Sequence, residues 1–195
     1  MIFGEQMKKT IITVIATLVG ELIVLVIIVG SGLSGALYNV STLSPDPGFL
    51  RWIFSSTSDN SMKHHANGIK VPSLTDGSMI AEGFDHYNDM CVTCHAGPGL
   101  SKSEAGIGIY PKAPNLARSA KQLPPQDLFW VMKNGIKSTG MPGFAKTHPD
   151  SKIWAMVAFL EKMKNMTPQE YAAMEKQNEG MKNMNMNMKM GDHDH

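Results

Sequence analysis

Cys91-Val92-Thr93-Cys94-His95 brings together residue types that can do chemistry as a unit. On a helical turn, thiols at i and i+3 share one face. There they can each form a thioether with one of the two vinyl groups of a single porphyrin, while the next residue offers an imidazole to the iron. C-x-x-C-H is therefore read as the attachment pattern of one covalently bound haem c. Two other chemistries use similar residues. A thioredoxin-like C-x-x-C needs a strand before it and a helix after it in an α/β pattern, and no such pattern is visible. A zinc site needs a fourth ligand beyond Cys91, Cys94 and His95. The chain has two cysteines in all, which excludes a disulfide scaffold and a four-cysteine cluster.

A six-coordinate iron needs a second axial ligand, and Met141 is the candidate. It stands in Asn134-Gly-Ile-Lys-Ser-Thr-Gly-Met141-Pro142-Gly143-Phe144, where glycines and a proline shape an extended loop. Thioether ligation favours ferrous iron over ferric and raises the potential relative to two imidazoles. Met132 and Met156 fall in helical apolar patterns and read as core. His86 and His148 are rival ligands. His86 is expected to be exposed on the helix before the motif, and His148, ahead of Pro149, to cap the last helix.

Three helices are expected to position these residues. One covers 76–94, with Thr75 or Asp76 as N-cap. The second runs Leu123–Asn134, opened by Pro124-Pro125 and stopped by Gly135. The third runs Ser151–Lys164, with Ile153, Trp154, Met156, Val157, Phe159 and Leu160 as its apolar face. The long loop Ala96–Leu123 would argue against a compact domain unless it wraps something, and a haem is that something.

In this order around C-x-x-C-H, the residues resemble a class I monohaem cytochrome c, and more narrowly the bacterial membrane-anchored c-type cytochromes. The resemblance covers about 76–166. It implies an all-α cytochrome c fold wrapped around one covalent haem. Gly83 and Tyr87, eight and four residues before Cys91, match the position where the first and last helices cross, with Phe159 as the aromatic packed over it. Pro114 matches the loop proline whose carbonyl accepts from the proximal histidine, Leu116 a pocket-lining residue, and Met141-Pro142 the distal ligand loop. Trp130 is carried over as a contact to a haem propionate. The methionine-rich C-terminus is a departure from the family pattern.

The remaining segments read separately. Residues 1–9 are a cytoplasmic N-terminus and 10–30 a transmembrane anchor. The run Thr10–Gly30 holds 15 apolar residues and one charge, Glu21, and has no polar stripe. Twenty-one helical residues span the roughly 30 Å of a bilayer core. Lys8 and Lys9 precede it and few basic residues follow before Arg51, so the rest of the chain is expected in the periplasm of a bacterium, bound to the inner membrane. Ser34-Gly35-Ala36 also fits a signal-peptide cleavage site, so a cleaved leader is the competing reading. Glu21 reads either as a contact to a partner helix or as a single tolerated charge.

Residues 31–75 are expected to form a connector containing a helix over Pro47–Ala66, with Asn67-Gly68 ending it. Its start, Phe49, Leu50, Trp52, Ile53 and Phe54 beside Arg51, suits either a headgroup zone or a protein surface. His64 and His65 are expected at the surface. Residues 167–195 are expected to form a disordered tail with five methionines between 181 and 190 and a terminal Asp-His-Asp-His. Soft thioethers with imidazoles suit copper.

Net charge is +1, and 76–166 carry ten Lys/Arg against eight Asp/Glu. That balance lacks the electrostatic footprint of a nucleic-acid binder and suggests weak docking to redox partner proteins, with Lys102, Lys112, Lys133, Lys137 and Lys146 as steering charges. The resulting expectation is an electron carrier of a respiratory chain rather than an independent enzyme. The alternatives are a cytochrome subunit of a larger membrane oxidase or dehydrogenase, and a gas or copper sensor with an open iron position.

Overall fold

The computed structural model describes residues 2–35 and 38–191, with side chains from 3 to 180 apart from those at 36, 37 and 119. It is all-helical, with no strand among the described residues. Two units separate between Ser44 and Pro45.

The first unit contains one helix, α1 (Ile2–Leu33). It is longer at both ends than the expected span of 10–30. Its apolar side chains are exposed on every face, as a helix solvated by lipid requires, and Phe3–Leu33 is long and apolar enough to cross a membrane. Thr10, Thr13 and Thr17 donate to the carbonyls of Gln6, Lys9 and Thr13 at 3.0–3.1 Å, which hides their hydroxyls within the helix.

The second unit starts with α2 (Gly48–Ala66), which stops at Asn67 and the left-handed Gly68, φ 84°. The expectation of a connector up to residue 75 is corrected here. The end of α2 packs on α7 (Pro125–Asn134), with Met62 and Ala66 buried. Periodicity shows that a face is apolar but not what covers it.

The motif helix opens as α3 (Gly77–His86). Asp76 caps it by accepting from Met79 N at 2.9 Å. The helix widens into a π turn over Tyr87–Cys91 and closes as α4 (Val92–His95). The expected loop of 96–123 contains two short helices, α5 (Glu104–Gly108) and α6 (Leu116–Ser119), then a 3₁₀ turn Ala120–Gln122. Helix α7 starts two residues later than expected, at the second of its two prolines. A 3₁₀ turn Phe144–Lys146 leads to α8 (Asp150–Met163).

Helices α3 and α8 make the core crossing. A Cβ on Gly83 would lie 1.9 Å from the Ala155 carbonyl oxygen and 2.9 Å from Phe159 Cβ, so the crossing is backbone against backbone. Phe84, Tyr87, Phe159 and Tyr171 pack their rings around it, with centroids 5.2–6.4 Å apart.

The expected disordered tail is also corrected. Helix α9 (Pro168–Gly191) follows directly on the core helices. Thr167 and Glu170 form a capping box: Glu170 Oε2 accepts from Thr167 N at 2.7 Å, and Thr167 Oγ1 accepts from Glu170 N at 3.2 Å. Tyr171 is fully buried, and Asn178 Nδ2 donates to Asp85 Oδ1 at 2.6 Å, so the first three turns belong to the domain. Asp192–His195, part of the candidate copper ligand set, lie outside the described residues.

Candidate haem site

Cys91 ends the π turn, and Cys94 and His95 end α4. Both thiols are free and half-buried. Burial first, and then the charge of Cys94, pushes the Cys91 thiol up to about 12. A thioredoxin-like nucleophile needs the opposite shift.

The chain turns sharply after His95. Ala96 has φ 58°, and its amide donates to Val92 O at 2.8 Å. The Tyr87 hydroxyl donates to the Ala96 carbonyl, tying the π turn to the residue after the motif. Burial raises the Tyr87 pKa strongly, so the phenol keeps its proton and remains a donor. Close backbone contacts then press the following loop on the motif. A Cβ on Gly106 would lie 2.5 Å from Thr93 O and 3.0 Å from Cys94 Cα. Ser103 adds two bonds to Thr93 O, from N at 3.2 Å and from Oγ at 2.9 Å.

This loop delivers Pro114. His95 Nδ1 and Pro114 O are 2.8 Å apart. A proline carbonyl can only accept, so Nδ1 carries the proton and Nε2 keeps its lone pair. His95 is buried, and its pKa is lowered, chiefly by burial and also by Lys102, against the opposing effect of the Pro114 bond. A neutral, oriented imidazole is the form that ligates a metal.

Lys102, one of the candidate steering charges, is half-buried, and its Nζ donates to the Ala113 carbonyl beside Pro114. The role of Lys102 and the Tyr87 hydroxyl bond were not legible in the sequence, because both acceptors are backbone groups that no side-chain pattern marks.

Cys91, Leu116 and Met141 all lie half-buried against one hydrophobic cluster that includes Tyr87, Leu128, Met132 and Phe159. The Met141 loop is tied to itself. Ile136 N donates to Met141 O at 3.2 Å, Thr139 Oγ1 to Ile136 O at 2.8 Å, and Met141 N to Thr139 Oγ1 at 3.0 Å. At its neck a Cβ on Gly135, whose φ is 69°, would sit 2.6 Å from Gly143 N. Met132 and Met156 are buried core, as expected.

Trp130 stands apart from this cluster, half-buried on α7 and stacked on His65 with ring centroids 5.7 Å apart. The rival histidines face each other. The rings of His86 and His148 are 5.4 Å apart, His86 Nε2 lies 3.8 Å from Glu82 Oε1, and His148 Nδ1 is 2.8 Å from Thr147 Oγ1. His86 is half-buried rather than exposed. Among the described residues no three His, Cys, Asp or Glu side chains form a metal-holding group.

The donor set fits a covalent haem: two thiols three residues apart, an imidazole with its free nitrogen fixed by a backbone acceptor, and a thioether on a tied loop. Residues 78–160 match the family model described as cytochrome c oxidase, cbb3-type, subunit III. This region is a c-type cytochrome domain. No curated protein matches the chain. The cytochrome match takes in α3 to α8 up to Leu160, under half of the chain, and leaves α1, α2 and α9 outside it.

Proposed function

We propose that the chain is a membrane-anchored, single-haem cytochrome c that passes one electron at a time between respiratory partners on the periplasmic side of a bacterial inner membrane. Cys91 and Cys94 would hold the haem as thioethers, and His95 and Met141 would supply the side-chain ligands to its iron. The observation that supports this most is the His95–Pro114 bond beside the cysteine pair. Bound haem supplies a one-electron iron couple.

The protein's own groups set the conditions for that couple. Pro114 and Lys102 fix the orientation and basicity of His95. The Met141 loop carries a thioether, which favours the reduced state, and the aromatic and aliphatic cluster beneath it keeps water away. Leu116 lies against that same cluster, where it would pack on the cofactor. Trp130 is assigned to a propionate contact, with His65 steadying its ring.

A second reading is favoured by the family match itself: the chain is the cytochrome subunit of an oxidase complex. Native purification in mild detergent separates the two. The carrier reading expects a species made of one 21.3 kDa chain plus its haem and detergent, with one haem per chain. Stable co-migration with an oxidase in defined stoichiometry would replace it with the subunit reading.

A further inference from the structure

Helix α2 is built unevenly. Its last turns pack on the cytochrome domain through Met62 and Ala66, and His65 stacks on Trp130. Its first turns leave Phe49, Trp52, Ile53 and Phe54 exposed by 64%, 69%, 42% and 56%. Three aromatic rings and an isoleucine within six residues are unusual on a water-facing surface. Arg51, also exposed, stands among them. Trp and Phe around a basic residue are the composition of a segment lying at headgroup depth.

The chain itself indicates what covers this surface. Fourteen residues, 34–47, join the end of α1 to the start of α2, a reach of at most about 50 Å when fully extended. With α1 in a bilayer, the same bilayer is always within that reach, so even a weak lipid affinity is multiplied by a high effective concentration. The capping arrangement agrees with this. Pro47 starts the helix without a side-chain cap, and the first turn contains no acidic residue to repel an anionic surface.

We propose that the first two turns of α2 form a second membrane contact that inserts Phe49, Trp52, Ile53 and Phe54 into the headgroup zone of the bilayer crossed by α1. The contact rests on reading α1 as a membrane span. It holds the haem domain against the membrane and shortens its range from the full tether to near-surface motion. The redox partners it can serve are then those whose docking sites lie close to the same membrane.

The test uses the full, haem-loaded chain with a site-specific protease sequence inserted between Val40 and Ser41, reconstituted into neutral phosphatidylcholine vesicles. Sedimentation of the uncleaved F49S/W52S/F54S chain checks the span alone: haem absorbance left in the supernatant at this stage refutes the membrane reading of α1. After cleavage, the expected result is that the released haem domain stays with the vesicles. The triple variant F49S/W52S/F54S should lower its partition coefficient by about tenfold or more. These side chains are exposed, and retained covalent haem absorbance shows that the variant folds. Complete release of the unsubstituted domain overturns the proposal. So does binding that requires anionic lipid and ignores the triple substitution, and so does self-association of the cleaved domain without lipid binding, which would assign the surface to a protein.

Discussion

Gly83→Ala places a methyl group where the structure has none to spare. Its Cβ would stand 1.9 Å from the Ala155 carbonyl oxygen and 2.5 Å from the carbonyl carbon, both backbone atoms of a buried helix. Ordinary contact begins near 3.4 Å, so α3 and α8 must separate by about 1.5 Å, and no rotamer change can relieve the clash. In an exposed helix the same change would stabilise by about 1 kcal/mol. Here overpacking of about 3 kcal/mol or more outweighs that gain, because Tyr87, Phe159 and Tyr171 are packed with almost no exposed surface around the crossing. For a domain of this size the net loss of about 2 kcal/mol or more corresponds to a fall in Tm of at least roughly 4–8 °C. Thermal unfolding followed by far-ultraviolet circular dichroism on the haem-loaded protein measures it. Gly77→Ala, with open space around its Cβ, is the control and should change little. A Gly83→Ala protein as stable as the control would refute the close crossing.

Other consequences follow from the loop contacts and the paired histidines. Tyr87→Phe removes the donor to the Ala96 carbonyl and should lower stability by about 1–3 kcal/mol in denaturant titration, and a neutral result would show that water satisfies that carbonyl. The His148 pKa is lowered below 6.5 by burial, by facing His86 and by Lys152, with Glu82 the acidic group beside His86. The folded state therefore binds fewer protons than the unfolded state, so this contribution is fully present above pH 6.5 and is lost as pH falls through the folded value. His148→Gln should flatten stability against pH in that window, and an unchanged slope would contradict the assignment.

The chemistry was more legible than its setting. C-x-x-C-H points to a c-type haem because few arrangements use those residues at that spacing, in agreement with the family match over 78–160, and Gly83, Tyr87 and Phe159 mark a helix crossing that the structure places as expected. The misjudged segments are those whose meaning depends on what lies opposite. Residues 167–178 were read with the methionine-rich stretch beyond them, although Thr167-x-x-Glu170 is a capping box and Tyr171 an obvious core residue once a partner surface is known. Helix α2 was placed close to its bounds but assigned to a connector, since the partners of Met62 and Ala66 are some sixty residues away in sequence. Lys102 looked like a surface charge because its acceptor is a backbone carbonyl.

Met141→Ala tests the proposed ligation of the iron by His95 and Met141 most directly. The oxidised, haem-loaded protein should show the weak far-red band of thioether-to-ferric-iron charge transfer, and the variant should lose it while keeping its covalent haem. The reduced variant should then bind carbon monoxide readily at neutral pH, as the unsubstituted protein should not. A variant that keeps the band and still excludes carbon monoxide would show that another side chain holds that face of the iron.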